Sequence, residues 1–532
     1  MNVDMYLDQV ITPEKHIEIR KKLGLKTNIW KFSADAVVIG SGAGGAVAAA
    51  ELSAKGLKVI LIEEGSFFGP DKFSPDEYQG LARMYRDGGI ISEEEGRVSI
   101  LQGRTLGGST TVNWQASLYP ENHVTEEWKT NFGLEGYGKK EMSTYIDQVH
   151  QRIGVHEVPV SMRNENNNVL FKGARAMSLN PEVLKNNSRG CVGLGRCSLG
   201  CPINAKQSMS LTYIPDAIAN GATVVTNMQA VKIFDGDEKK VLAEFSPDRF
   251  ESIPSGIFEK MEITARVVII SGGAIESPAL ILRSGLGNSM VGKHLKIHPT
   301  QTIFAKFNRE INMFQGIPQS VVISKGLPAN NGYGFWMEAA PYRLNLTTAL
   351  VPFYGKEQFK TMKNYRNFHA GIVLARDGAG SPVNSSVEWK FGKRKIYYKL
   401  SDADAANMLL GLKTLAEVQT AAGATELILP FRSLTKPFPV RKGQDFSWIL
   451  SESQENFFAV GSAHPQGSIQ ASADLKTGAV APNFELYGHK NIFVMDASVF
   501  PTALGVNPQI TTMAVIMRAA RTLAASLALP VR

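Results

Sequence analysis

The sequence predicts an α/β protein with α+β elements. It combines a Rossmann-like dinucleotide-binding domain that carries a β-meander with a discontinuous second domain of antiparallel sheet and flanking helices. Three observations lead there. A glycine-rich turn, Gly40-Ser41-Gly42-Ala43-Gly44-Gly45, separates an apolar run from a stretch of small residues. A second such turn, Gly103-Arg104-Thr105-Leu106-Gly107-Gly108-Ser109, follows further along. Between about 300 and 450 the texture changes to short strand-like runs broken by turns.

Taken in order, Ala34 to Ile39 reads as a buried strand, Ala43 to Lys55 as a helix closed by Gly56, and Lys58 to Glu63 as a second strand. This strand–helix–strand opening with short connections is the context of a nucleotide fold. Thr223 to Val225, Ala230 to Phe234, Val241 to Phe245 and Ile263 to Ile270 follow as strands, three of them forming a meander. Helices are expected over Ile275 to Arg283 and Pro508 to Leu527. Beyond 300, strands are expected at Ser320 to Ser324, Tyr333 to Ala340, Phe368 to Ala375, Val387 to Phe391 and Lys395 to Leu400. A long helix, capped by Ser401 or Asp402, then runs to about Ala422. The resulting division places an N-terminal extension at 1–30 and the nucleotide domain at 31–130, 210–300 and 455–532. A cysteine-containing connecting or lid region spans 131–209, and a substrate domain spans 301–454.

Size and composition set bounds. The 532 residues suffice for about three domains' worth of chain. A net charge of +8 is small for this length, and its densest clusters, Lys21-Lys22 and Lys393-Arg394-Lys395, form no stripe with aromatics, so no nucleic-acid partner is expected. The apolar run from Ala36 to Ala50 holds four glycines and is too short to span a membrane, so no transmembrane segment is expected. Three cysteines make no disulfide framework; the expected compartment is the cytoplasm, with peripheral membrane association left open.

Gly40, Gly42 and Gly45 fit G-x-G-x-x-G. The first glycine permits a tight turn, the second lets backbone amides approach a pyrophosphate, and the third lets helix pack on strand. Glu63 ends the next strand eighteen positions after Gly45, where a carboxylate can accept from both ribose hydroxyls. NAD and FAD both satisfy this much. The C-terminus favours FAD. There the strand Asn491 to Asp496 leads through Gly505-Val506-Asn507-Pro508 into a long apolar helix. The positive end of such a helix suits the pyrimidine side of a flavin, where negative charge builds on reduction.

These residues carry a family resemblance over almost the whole chain. Gly273-Ala274-Ile275-Glu276-Ser277-Pro278-Ala279-Leu280-Ile281-Leu282-Arg283-Ser284-Gly285-Leu286-Gly287 resembles the second signature of the glucose–methanol–choline (GMC) oxidoreductases. Gly107-Gly108-Ser109 with Asn113 resembles the first, and Asp496-Ala497-Ser498-Val499-Phe500-Pro501 with Gly505 to Pro508 resembles the C-terminal flavin segment. The resemblance implies FAD contacts at Gly40, Gly42, Ala43, Gly45, Glu63, Gly108, Ser109, Asn113, Val231, Asp496, Ala497 and Pro508. No histidine lies near Gly107 to Trp114, so the FAD is expected to be bound non-covalently.

Oxidising an alcohol at a flavin requires a base for the hydroxyl proton and a donor to the carbinol oxygen. Of nine histidines, His464, in Ser462-Ala463-His464-Pro465-Gln466, stands where the family carries its catalytic histidine. Asn507 stands at the partner position. An amide can donate but not take up a proton, so His464 is the expected base; His298 is expected to be structural.

All three cysteines fall in Cys191-x5-Cys197-x3-Cys201-Pro202. This pattern is similar to the cysteine motif of the family's bacterial glucose dehydrogenase subunits, which implies a [3Fe-4S] iron–sulfur cluster at Cys191, Cys197 and Cys201. Other branches, similar to long-chain alcohol oxidases, have cysteines here without a cluster. The leading expectation is oxidation of a small-molecule alcohol, with an apolar one such as a fatty alcohol or sterol favoured, and with oxygen, a quinone or a redox protein as acceptor. A sugar or polyol dehydrogenase passing electrons through the cluster is one alternative. A flavin-dependent lyase or decarboxylase on the same fold is another. Phe335, Trp336 and Met337 are candidates to wall the substrate pocket.

Overall fold

The computed structural model describes residues 9–22, 24, 28–250, 257, 259–325, 329–330, 332–379, 385–441 and 443–527. The first eight residues of the expected 1–30 extension lie outside them. Strand β1 (Ile29–Ile39) enters the glycine turn and helix α1 (Ala43–Ser53) leaves it, followed by β2 (Val59–Ile62). Later come β3 (Thr223–Val225), β4 (Met228–Phe234), β5 (Lys239–Phe245), β6 (Lys260–Ile270) and helix α2 (Gly273–Ser284). These strands form one seven-stranded sheet in the order β3-β2-β1-β6-β5-β4, with Ile492–Val494 as the seventh strand.

The length of β6 explains how one sheet holds two textures. Its first half pairs antiparallel with β5, from Lys260↔Glu244 to Ala265↔Lys239. Its last residues pair parallel with Ile492–Val494. Along its other edge it runs beside β1 throughout. The parallel part is covered on both faces, so β2 is buried at every position. The expected meander is β4-β5-β6.

The second sheet has eleven strands and is built around β7 (Thr300–Lys306), β8 (Val321–Lys325), β9 (Tyr333–Ala339) and β10 (Phe368–Ala375), in the order β7-β10-β9-β8. It also recruits Val98–Ile100, Asn180–Val183 and Val460–Ser462, from segments outside 301–454. Helix α3 (Asp402–Ala421) starts at Ser401, whose Oγ accepts from Asp404 N at 3.0 Å. It lies so close on this sheet that a Cβ on Gly411 would stand 2.3 Å from Val373 Cγ1. The C-terminal helix α4 (Gln509–Leu527) is long and apolar enough to cross a membrane by length and composition, and most of it is buried inside the fold. It packs against α1 and Ser143–Ile153.

Side chains alternate across a strand, and this sorts β9. Phe335 and Met337 join the core shared with Met408, Leu412 and Leu415 of α3. Trp336 faces the other way, into an apolar layer with Phe304, Tyr342, Ile372 and Leu374. Of the three aromatic and apolar residues expected to wall a pocket, only Trp336 lies on the face that meets His298.

Candidate active site

The two glycine turns meet. Gly107 N donates to Ser41 Oγ at 2.9 Å, and a Cβ on Gly108 would lie 2.8 Å from Gly42 Cα. Each glycine of the first turn has its own constraint. Gly40 has φ +99° and sits against the Ser271 carbonyl, while a Cβ on Gly45 would stand 1.9 Å from Gly40 O. A Cβ on Gly42 would meet nothing within 4 Å. That open side adjoins the start of α1, where Gly42 as N-cap supplies no side-chain bond to the first helical amides. Uncapped amides at a helix N-terminus, beside a position free of Cβ, are the features of a cradle that can hold a pyrophosphate. Ala43 is the first helical residue of that cradle.

Glu63 is buried at the tip of β2, and burial raises its pKa despite the bonds it receives. Ser41 donates to its Oε2 through N (3.0 Å) and Oγ (2.6 Å), and Gly65 N donates to Oε1 (2.8 Å). The carboxylate thus braces the turn that carries Gly42. Met228 N donates to Glu63 O, which brings the start of β4 here; Val231 follows, half-buried, on the same strand. Ser109 is exposed and its Oγ accepts from Gly103 N.

The C-terminal segment closes over this cradle. The Asp496 carboxylate turns inward: Gly273 N and Ser277 Oγ donate to Oδ2, and Ser498 N and Oγ donate to Oδ1. It latches the strand end to the N-terminus of α2. Ala497, next in the chain, accepts from Gly467 N through its carbonyl and so ties in the loop that bears His464. Pro508 O receives Thr512 N and opens α4. Gln509 was not legible as a site residue, yet Asn113 Nδ2 donates to its Oε1 at 2.9 Å and its Nε2 donates to Ala116 O at 2.8 Å. It joins the first signature to the helix end.

His464 and Asn507 come together: His464 Nε2 and Asn507 Nδ2 are 3.5 Å apart across 43 residues of chain. His464 Nδ1 lies 3.3 Å from His298 Nδ1. His298 is fully buried in a left-handed conformation (φ +50°), its ring edge-on to Trp336. Gly505 N donates to its Nε2 at 3.0 Å, and Asp377 accepts from Ile297 N and His298 N. Burial lowers the His464 pKa to about 4. Burial, then His464 and Arg376, hold His298 well below the ordinary histidine value. Both rings are neutral at physiological pH. Next to them stands a residue the sequence did not flag: Glu338 of β9, fully buried, accepting from Gln319 Nε2 (2.6 Å), Trp336 Nε1 (3.1 Å) and the Asn507 amide.

The expected iron–sulfur site does not take shape. Cys191, Cys197 and Cys201 line one recess with Gln115 and Lys206. Yet among the described residues no three His, Cys, Asp or Glu side chains are grouped to hold a metal ion. The buried Cys197 instead accepts from Gln115 Nε2 at 3.1 Å, and burial pushes its thiol up. Lys206 Nζ bridges Cys197 O and Asn113 O. The loop is fastened to the first signature by hydrogen bonds, so these residues do not fit a cluster.

Comparisons agree with the fold and the order of motifs. Residues 35–72 match an FAD binding domain. The chain is 30% identical over 511 residues to long-chain-alcohol oxidase FAO3 of Arabidopsis thaliana, covering 91% of this chain and 67% of the relative. For FAO4B of the same plant the figures are 31% over 542 residues, 96% and 69%. The chain thus spans about two thirds of the length of these relatives. Among solved structures, formate oxidase of Aspergillus oryzae aligns with TM-score 0.69 at 15% identity, covering 93% of this chain and 99% of that one. Pyridoxine 4-oxidase from Mesorbium loti aligns at 0.68 and 16%, covering 92% and 98%. Residues 81–300 and 384–515 match the N- and C-terminal models of the GMC oxidoreductases, and the chain belongs to that family as an FAD-dependent oxidoreductase.

Proposed function

We propose that the protein oxidises an apolar, long-chain alcohol to the aldehyde or ketone. The observation that carries this is the meeting of His464 and Asn507 beside the apolar layer of Trp336, Phe304, Tyr342 and Leu374. Trp114, which follows Asn113, packs edge-on to Tyr342 in the same layer. The substrate class also rests on the names of the plant relatives.

FAD would be held by Gly40, Gly42, Ala43, Gly45, Glu63, Gly108, Ser109, Asn113, Val231, Ala497 and Pro508, non-covalently, since no histidine accompanies the second glycine turn. When bound, it supplies the acceptor for the hydride of the carbinol carbon. The chain's own residues manage the oxygen and its proton. Asn507 directs an amide N–H at the oxygen. His464, neutral because burial disfavours its cation, takes the hydroxyl proton at Nε2. For that, its ring proton must sit on Nδ1, toward His298. The Gly505 amide bonded to His298 Nε2 favours the other pattern, in which His298 donates to His464 Nδ1 and His464 carries Nε2–H. In that tautomer His464 polarises the oxygen as a donor. The two patterns are separated by the substitutions treated below.

Anaerobic mixing with 1-butanol through 1-hexadecanol tests the reading. The flavin is expected to bleach, with the apparent second-order rate rising with chain length until the apolar layer is filled, each methylene adding roughly 0.8 kcal/mol. Bleaching by glucose but by no alkanol would move the assignment to sugars, and product without bleaching would move it to a lyase. Purified protein is expected to contain no iron and no acid-labile sulfide; stoichiometric amounts of both would restore the cluster and the polyol reading.

A further inference from the structure

We infer that Glu338 is a positioning residue whose ionisation sets which end of the Asn507 amide faces the substrate oxygen. This rests on the alcohol-oxidation reading above. Glu338 sits in the middle of β9, paired with Val322 of β8 and Ile372 of β10, and has no solvent exposure. A carboxylate buried without a cation is a costly occupant of a strand, and what compensates it here is three N–H donors: Gln319, the Trp336 indole and Asn507.

The hydrogen-bond arithmetic fixes the rest. An ionised carboxylate only accepts. Asn507 must therefore turn its Nδ2 toward Glu338, leaving the second N–H directed to the space beside His464 Nε2, 3.5 Å from Nδ2. Asn507 Oδ1 is then buried with no partner. Protonation of Glu338 adds an O–H that needs an acceptor, and the unpartnered Asn507 Oδ1 is the acceptor at hand. The amide turns over to take it. The carbonyl then replaces N–H beside His464, and the substrate oxygen loses its donor.

Burial raises the Glu338 pKa to about 7, partly offset by the bonds from Trp336, Asn507 and Gln319. Among the described residues no charged side chain contributes to that shift. The titratable groups facing it are His298, against Trp336, and His464, against Asn507; burial lowers both, His464 to about 4. Asp377, which accepts from Ile297 N and His298 N and is raised by burial to about 6, and Lys296, lowered by burial to about 8, titrate in the same range, so the change that belongs to Glu338 is the part that Glu338→Gln removes. The carboxylate exists above its pKa, so activity is retained there and lost as the pH falls through about 7.

The test uses the FAD-loaded enzyme, Glu338→Gln, Asn507→Ala and the double variant. Infrared difference spectra between pH 6 and 8 are expected to show the carbonyl stretch of a protonated acid in the wild type and a diminished one in Glu338→Gln, where Asp377 still contributes. With 1-dodecanol, the wild-type rate constant for flavin reduction is expected to fall about 10-fold from pH 8 to pH 6. Glu338→Gln is expected to be slow and flat across that range, and Glu338→Asp to restore the fall. In Asn507→Ala the further change of Glu338 to Gln is expected to add less than about 2-fold, since Glu338 acts through that amide. An acid band undiminished in Glu338→Gln, or full additivity in the double variant, overturns the inference. Wild-type enzyme that shows the band yet reduces no flavin with any alkanol instead refutes the substrate reading and leaves the ionisation of Glu338 standing.

Discussion

His464→Ala is expected to bind FAD with unchanged absorbance and to reduce it with alcohol about 10³-fold more slowly than the wild type. The imidazole is not part of the dinucleotide cradle. Its contacts are Asn507 and His298, while the backbone N of His464 donates to the Ser462 hydroxyl. Removal should therefore leave cofactor affinity alone and strip the carbinol oxygen of one of its two partners. The loss should appear in the reductive half-reaction and not in reoxidation by air. His464→Gln refines the result, because it keeps an N–H donor and has no basic nitrogen. A rate near that of His464→Ala identifies proton uptake as the role of His464. A rate within about 10-fold of wild type identifies donation from Nε2, the tautomer favoured by the Gly505–His298 chain. An alanine variant with undiminished turnover would remove His464 from the reaction altogether.

The second large effect is expected at the first glycine turn, where two neighbouring glycines should fail for opposite reasons. Gly42→Val is expected to fold, because a Cβ there meets nothing within 4 Å, and to bind FAD at least about 100-fold more weakly. The new side chain would fill the open side of the uncapped α1 terminus. Gly45→Val is expected not to fold stably. Its Cβ would overlap the Gly40 carbonyl oxygen at 1.9 Å, and backbone cannot yield as a side-chain tip does, so the cost should exceed about 3 kcal/mol. Thermal unfolding of both apoproteins, followed by flavin titration, checks the pair. Gly42→Val with full flavin content would place the pyrophosphate elsewhere.

Much of the fold was open to sequence reasoning because its determinants are local. The apolar run of β1, the small residues of α1 and the Ser401 cap of α3 each act within a turn or two of chain. Bounds shifted by a few residues where pairing outran pattern: β1 begins at Ile29 instead of Ala34, because β6 supplies partners from Lys260 onward. The substrate-side sheet was harder to read. Three of its strands, Val98–Ile100, Asn180–Val183 and Val460–Ser462, come from segments whose short runs show no periodicity of their own.

The cysteines mark the opposite limit. Their spacing suggested ligation, but spacing does not say where sulfurs point, and Gln115 and Lys206 claim the Cys197 loop. Glu338 was passed over for a related reason. An acid within Tyr333–Ala339 reads as an outward position of a strand, and only the arrival of Asn507 and Gln319 from elsewhere makes it an inward one.

The chain alone determined where backbone must bend sharply and stay free of Cβ, hence the dinucleotide cradle, its order of motifs and the family. Such demands are met residue by residue, and glycine is the one residue that meets them. The folded molecule decided which groups surround the imidazoles, the amide and the buried carboxylate. Their partners come from strands and loops up to 207 residues apart. Proton affinity is set by the burial and hydrogen bonds those partners create.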